Sequence, residues 1–301
     1  MARKTKEINV EKIKASKKVF NPGPGRSRWG NIINFLFLCF IGVIMLFPMI
    51  YIVNNAFKPL DELFMFPPNF FVRNPTLDNF TNISVLMSES WVPFSRYVFN
   101  TVFVTVVATF FHIILASLAA YVLEKRDFPG SKPIFKIMEI SLMFTATATA
   151  IPNYIIMSKL GMIDTYWALI LPYVGSTMGL YLMKQHLTST IPNSLLEAAR
   201  IDGAGELKIF RSIVMPLAKP AWLTMMLFAV QAMWAQQGAS QIFTEVKKPL
   251  TYALNQIITG GVARAGAGAA VQLIIITPPI LLFILTQTQV LDTMASSGMK
   301  D

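Results

Sequence analysis

The sequence predicts an all-α integral membrane protein with six transmembrane helices. Of its 301 residues, 54% are hydrophobic and only 14% are charged, and the mean hydropathy is +0.52. A soluble domain usually carries about 25% charged residues, so this chain has too little charge to cover a globule in water. Strong alternation of polar and apolar residues, the pattern of a transmembrane β-strand, is absent, which favours helices.

Six apolar stretches are long enough to cross about 30 Å of hydrocarbon as helices. The third is interrupted by threonines and Pro152. The sixth contains Thr277-Pro278-Pro279, which predicts a kink whose freed backbone groups must be satisfied by neighbouring helices. The predicted spans are 31–53, 97–121, 134–157, 165–184, 217–237 and 268–290.

The distribution of Lys and Arg predicts the orientation of these helices. If the N-terminus lies inside, 19 of the 26 basic residues fall on the inner side. The positive-inside rule therefore selects a chain with both termini in the cytoplasm, N-in and C-in. The apolar run from Ile32 to Val53 exceeds the 7–15 residues of a signal-peptide core, so we expect it to be a retained first helix.

Charge and cysteine content argue against several other classes of function. The net charge of +10 is concentrated in the first 28 residues and forms no basic stripe interleaved with aromatic residues, so we expect no nucleic-acid partner. With only Cys39, His112 and His186 available as soft ligands, we expect no metal site. A GxxxxGK[ST] motif is absent, so we expect this chain to bind no nucleotide by a phosphate loop and no cofactor of its own.

These observations divide the chain into four regions. We predict a basic cytoplasmic tail (1–28), a first transmembrane helix with an extracytoplasmic loop (29–96), a helical core (97–290) and a short cytoplasmic tail (291–301). The loop within 29–96 is rich in Pro, Asn and aromatic residues and is too short to have a large core of its own.

The longest inner loop, 185–216, is the least apolar part of the core. Asn193 or Ser194 can cap a helix, and Ser194 has capping-box spacing to Glu197. Gly203 and Gly205 then interrupt that helix. A second helical stretch contains Phe210, Ile213 and Val214, and ends at Pro216 and Pro220. The sequence therefore predicts a short helix, a glycine turn and a second short helix on the cytoplasmic face.

The segment from Glu197 to Pro216 resembles the EAA loop of ABC importer permeases: Glu-Ala-Ala, three residues, Gly, nine residues, Ile, two residues, Pro. The wider chain, about 95–290, resembles the maltose-type permease core on its MalG-like side. The resemblance implies a type I ABC importer permease core and a helix that docks in a cleft of an ATPase subunit. The implied docking residues are Glu197, Ala198, Ala199, Asp202, Gly203, Ala204, Phe210 and Pro216.

The resemblance also implies a set of partners. These are a second homologous permease, two ATP-binding subunits that hold ATP and Mg, an extracytoplasmic solute-binding protein and a sugar substrate, an oligosaccharide. The chain would be a multi-pass protein of the bacterial inner (cytoplasmic) membrane, surrounded by the lipid bilayer. In the C-terminal tail, Ser296, Ser297 and Gly298 resemble a small-residue segment that reaches the ATPase pair.

Polar residues inside the predicted spans are candidates for the substrate pathway, because polar groups in a membrane are costly and tend to face a cavity. The alternative interpretation is hydrogen bonding between helices. The candidates are Asn153, Gln231, Gln236, Gln237 and Gln272.

Two other classes of function remain open at this stage. A secondary transporter or channel acting alone would be expected to show charged residues within its spans or paired broken helices, and neither is evident. A membrane-bound enzyme would need a nucleophile–base or metal constellation, which the sequence lacks. Copurification of a stoichiometric ATPase separates the ABC permease from both alternatives.

Overall fold

The computed structural model describes residues 28–88, 90–126, 128–261 and 264–297, and within these ranges it contains helices and no strand. A π-helical turn covers Phe210–Val214, and a short 3₁₀ turn covers Glu245–Lys247. The α-helices are α1 (Arg28–Ala56), α2 (Leu60–Leu63), α3 (Asp78–Ser88), α4 (Phe94–Lys125), α5 (Ser131–Ser141), α6 (Ala146–Lys159), α7 (Trp167–Val174), α8 (Thr177–Thr190), α9 (Asn193–Ile201), α10 (Glu206–Ile209), α11 (Met215–Leu217), α12 (Lys219–Trp234), α13 (Leu250–Ile258) and α14 (Ala265–Ser297).

Three continuous helical segments in the described residues are long and apolar enough to cross a membrane: Trp29–Ala56, Phe94–Lys125 and Ala265–Thr288. Two further spans are counted if each of two bent helix pairs crosses as one unit. The chain therefore has three to five candidate spans by length and composition. The expectation of six spans, and of both termini inside, remains a prediction.

The third and fourth predicted spans are each divided into two helices. The stretch 134–157 contains α5 and α6, which meet at an angle of 111°. The first of these helices ends at Ser141, and Thr145 begins the next: its backbone is extended and its hydroxyl accepts the Ala148 amide as the N-cap. The stretch 165–184 is likewise divided into α7 and α8, because Gly175 ends α7 and Ser176 is extended.

The chain separates into two compact units, residues 1–51 and 52–301. The described part of the first unit is the initial portion of α1, whose side chains are nearly all exposed. In the second unit, α4 is the central helix. It packs against α7, α8, α12 and α13.

A close approach fixes the packing of α4 on α8. A Cβ placed on Gly179 would lie 2.1 Å from Nε2 of His112, so only glycine fits this contact as it stands. The His112 ring is buried, with Nδ1 3.2 Å from the carbonyl oxygen of Val174. His112 is therefore an interior histidine with a satisfied ring nitrogen at the α4–α8 contact.

The two ends of α4 are bonded to different parts of the second unit. Near its C-terminus, Lys125 donates to the Ile191 carbonyl at 2.6 Å, just before α9. Near its N-terminus, Asn100 donates to the carbonyls of Val246 and Lys248 at 2.8 and 2.9 Å. We call the region around the C-terminus of α4, which carries residues 185–216, the loop end. The region around the N-terminus of α4 is the opposite end.

Candidate functional site

The predicted helix, turn and second helix are present at the loop end. Helix α9 ends in a Schellman motif: the Ala204 amide donates to the Ala199 carbonyl and the Gly203 amide to the Arg200 carbonyl, each at 3.0 Å. Gly203 has a φ of +79°, in the left-handed region that glycine adopts without strain. The turn is formed at a glycine, as predicted, and Gly203 is the residue in the left-handed conformation.

The start of α9 differs from the prediction. Pro192 occupies the N-cap position and no side chain caps the helix, so the Ser194–Glu197 capping box does not form. Asn193 instead accepts a hydrogen bond from Lys125 Nζ at 3.2 Å through its side-chain oxygen. Pro192 holds an extended backbone just before the helix. The side-chain amide of Asn193, one of the two predicted caps, is used instead for the contact with Lys125 of α4.

One face of the loop is part of the protein core. Leu196, Ile209, Phe210 and Val214 are all buried and belong to the hydrophobic cluster that surrounds the C-terminal part of α4. The Phe210 ring lies 5.7 Å from the ring of Tyr121, centroid to centroid. This inner face holds the loop against α4 and leaves the other face to solvent.

A cluster of charges fixes the turn between the two loop helices. Glu206 Oε2 accepts a hydrogen bond from the Tyr121 hydroxyl at 2.6 Å, and Oε1 accepts from Arg200 Nε at 2.8 Å. Arg126 also reaches Oε1, at 2.7 Å. The hydrogen bond to Glu206 raises the pKa of Arg200 above its ordinary value, so this cation persists throughout the physiological range.

Sequence reasoning did not identify Glu206 as a functional residue. Its only signal is an acidic residue in the first turn of a helix, just after Gly205. Two of its three partners come from the end of α4, about 80 residues earlier, and no local pattern reveals that pairing. Glu206 ties α4, α9 and α10 together and therefore positions the exposed part of the loop.

The predicted docking residues separate into exposed and buried positions. Phe210 is buried, so in this conformation it supports the loop and does not reach its surface, while Ala199 and Ala204 are half-buried. The exposed members are Glu197, Ala198, Asp202, Gly203 and Pro216.

Two large apolar side chains, which sequence reasoning missed, lie beside these exposed residues. Ile201 is 86% exposed at the end of α9, and Leu207 is 74% exposed at the start of α10. They flank Gly203 on a surface otherwise made of small and charged residues.

The C-terminal candidates fall at the limit of the described chain. Ser296 and Ser297 are the last residues of α14, and Gly298 lies outside the described residues. Residues 291–297 continue the helix. Helical residues rise only about 1.5 Å each, so these seven advance about 10 Å.

The structure places the candidate pathway residues on four different elements. Asn153 is exposed on α6, Gln231 on α12 and Gln272 near the start of α14. Gln237 is exposed and Gln236 half-buried in the segment that follows α12. Helices α12 and α14, which carry Gln231 and Gln272, pack together.

The segment that carries Gln236 and Gln237 is held at the opposite end by Asp164. The Asp164 carboxylate accepts the backbone amides of Phe243 and Thr244 at 3.0 and 2.9 Å, the Thr244 hydroxyl, and Lys247 Nζ at 3.2 Å. These bonds, above all that from the Thr244 hydroxyl, hold the pKa of Asp164 well below its ordinary value. Within the described residues, no group of three or more His, Cys, Asp or Glu side chains could hold a metal ion.

Comparison with known proteins assigns the chain to a family. Residues 25–295 match the family described as "Binding-protein-dependent transport system inner membrane component". The chain belongs to this family. It is therefore a membrane component of an ABC-type transport system and not an enzyme, and its resemblance to ABC importer permeases is confirmed.

Several relatives within this transporter family are permease proteins of sugar systems. The polygalacturonan/rhamnogalacturonan transport system permease protein YtcP of Bacillus subtilis (strain 168) is 30% identical over 252 residues, which cover 81% of this chain and 85% of the relative. The galactooligosaccharides transport system permease protein GanQ of the same organism is 26% identical over 283 residues, covering 89% of this chain and 95% of the relative.

A solved structure supports the same fold for this permease. It is a chain of a bacterial ABC transporter involved in the import of the acidic polysaccharide alginate. The TM-score is 0.73 at 24% identity, with 88% of this chain and 99% of that chain covered. The described architecture is thus that of an ABC importer permease.

Proposed function

We propose that this chain is one permease half of an ATP-driven, binding-protein-dependent oligosaccharide importer of the bacterial inner membrane. The observation that carries the proposal is the loop of residues 185–216: a core-anchored helical turn with Gly203 in the left-handed region and Ile201 and Leu207 exposed at its tip. A rigid turn with exposed apolar tips suits docking into a groove, because little entropy is lost when it binds.

Several parts of this proposal extend beyond the family assignment. We propose that the loop binds one ATP-binding subunit, that a second permease covers the remaining helices, and that two ATP-binding subunits and an extracytoplasmic solute-binding protein complete the assembly. ATP and Mg would be held by the ATP-binding subunits. Orientation with both termini in the cytoplasm places the loop end inside, in agreement with its basic residues.

The sugar class is inferred from the relatives. YtcP and GanQ are named for polygalacturonan/rhamnogalacturonan and galactooligosaccharides, and a further relative, 32% identical over 206 residues, is the maltodextrin transport system permease protein MdxG of Bacillus subtilis (strain 168). The shared chemistry is a chain of pyranose rings. We propose that the cargo is an oligosaccharide and that Asn153, Gln231, Gln236, Gln237 and Gln272 contribute hydrogen bonds along its path.

Reconstitution tests the proposal. The complex purified through a tag on this chain should contain two ATP-binding subunits and a second permease, and in liposomes it should import oligosaccharides only with ATP and the binding protein. Stimulation of ATP hydrolysis, screened over uronate-containing and neutral oligosaccharides, would identify the cargo. A purified chain that transports in liposomes without ATP or any ATPase subunit would instead support a secondary transporter.

A further inference from the structure

Two cavities adjoin at the opposite end of the second unit, and Trp91 and Pro93 line both of them. The first, of about 570 Å³, is called the polar cavity because, among the described residues that line the two, it alone includes a charged side chain, that of Arg96. The second, of about 600 Å³, is lined mainly by apolar side chains. Trp91 is 84% exposed.

The apolar cavity lies at the start of two candidate membrane spans. Phe94 is the first residue of α4 and Ile274 lies between two and three turns into α14, and both line this cavity. Ile83 and Met87, on the buried side of α3, form another wall. The cavity is therefore bounded by α3 and by two helices that are long and apolar enough to cross a membrane, close to where the predicted extracytoplasmic loop meets the second predicted span.

The polar cavity contains one cation, Arg96, which forms no ion pair with any described residue. Arg96 is exposed, its Nε donates to the Val246 carbonyl at 3.4 Å, and its guanidinium carbon lies 5.4 Å from the centre of the Phe99 ring. No carboxylate lies within ion-pair distance of Arg96 in the described part of the chain. Arginine two residues after the start of a span, beside an exposed tryptophan, is the arrangement expected at the depth of lipid headgroups.

We infer that these joined cavities bind a glycerophospholipid, with its phosphate on Arg96 and an acyl chain in the apolar cavity. The two cavities together match an amphipathic molecule: a guanidinium suits a phosphate, and the apolar walls suit a hydrocarbon chain. A sugar fits less well: the hydroxyls that described residues place in the apolar cavity belong to serines, and Ser84 and Ser88 already donate to carbonyls of their own helix, so they remain available only as acceptors.

Lipid retention by the intact complex tests this site. In detergent, with phosphatidylglycerol added, native mass spectrometry should show a phospholipid retained by the wild-type complex. Arg96→Ala should retain about tenfold less, and Ser84→Phe, which places a ring at the mouth of the apolar cavity from an exposed position, should act similarly. Matched controls are Lys159→Ala, another exposed cation, and Thr81→Phe, one turn earlier on α3; both should retain wild-type lipid.

A photo-crosslinking amino acid at position 84 distinguishes lipid from protein as the occupant. Crosslinking to phospholipid in native membranes supports the site, whereas crosslinking to the second permease or the binding protein overturns it. Equal retention of phospholipid by the wild type, Arg96→Ala and Ser84→Phe would also overturn it. Repeating the retention experiment with phosphatidylcholine in place of phosphatidylglycerol shows whether the phosphate group alone suffices for lipid binding. None of these outcomes depends on which cargo is transported.

Discussion

At the turn between α9 and α10, Gly203 has a φ of +79°, whereas Gly205 has a φ of −69°. A Cβ at either position would meet no atom within 4 Å. Crowding therefore does not distinguish the two glycines, and only the backbone conformation of Gly203 disfavours another residue. The pair provides a matched mutant and control within a single loop.

We predict that Gly203→Val distorts the turn and weakens docking of the ATPase subunit, whereas Gly205→Ala does not. A left-handed conformation costs an L-residue about 1–2 kcal/mol, which corresponds to roughly tenfold in affinity. The measurement is the affinity of the purified permease for its ATPase subunit, together with ATP-dependent uptake. Wild-type values for Gly203→Val in both assays would remove the docking role of the turn.

The second prediction at the residue scale concerns Glu206. Glu206→Gln keeps the size of the side chain but removes the charge that faces Arg126 and Arg200. Because this cluster is about one-third exposed, we expect a loss of only about 1 kcal/mol in the stability of the loop. Limited proteolysis of the loop should accelerate roughly fivefold.

Glu139→Gln is the control for Glu206→Gln. Glu139 pairs with Lys136 at 3.5 Å on the surface of α5, so its loss should leave the loop as resistant as in the wild type. Equal cleavage rates in Glu206→Gln and Glu139→Gln would show that the charge cluster does not hold the turn.

At the scale of whole elements, the contact between α4 and α8 depends on the small size of Gly179. Gly179→Ala would bring a methyl group to 2.1 Å from His112 Nε2 and 3.0 Å from Met225 Cε. Overpacking of this kind costs about 1–3 kcal/mol. We predict that Gly179→Ala lowers the thermal stability of the permease, measured in detergent, whereas Gly42→Ala, whose new methyl would meet no atom within 4 Å, does not.

A double mutant shows whether the loss arises at this contact. His112→Ala removes the ring that Gly179→Ala would strike, so combining the two should recover part of the stability lost in Gly179→Ala. The expected interaction energy lies within about 0.5–3 kcal/mol. Strictly additive losses would place the effect of Gly179→Ala somewhere other than the His112 ring.

At the scale of the whole molecule, the C-terminal residues are predicted to act in the assembly. Deletion of residues 295–301 removes Ser296, Ser297 and Gly298, and we expect it to lower substrate-stimulated ATP hydrolysis while the complex still assembles. The proposed reason is loss of a small-residue contact with the ATPase pair. Deletion of 299–301 alone leaves these three residues in place and should hydrolyse ATP normally. If the longer deletion also transports normally, the terminus has no coupling role.

Much of this protein could be predicted without its structure, because the relevant signals are local. Hydropathy alone indicates a membrane protein, since a chain with 14% charged residues cannot cover itself in water. The loop of residues 185–216 was predicted as helix, turn and helix, because Gly203 and Pro216 act on their own backbone. The Schellman turn and the 77° bend between Glu206–Leu217 and Lys219–Trp234 follow from such local effects.

Other features were decided only by tertiary contacts. The threonines in the third apolar stretch were noted from the sequence, but the 111° bend between α5 and α6 was not, because hydropathy averages over about 20 residues and does not register one threonine that begins a new helix. Phe210 is buried because Tyr121 packs against it. Glu206 holds the loop to α4 because α4 brings Tyr121 and Arg126 to its carboxylate. Local sequence determined the membrane location and the shape of the loop, whereas only packing between distant segments decided which of its residues are buried and which are exposed.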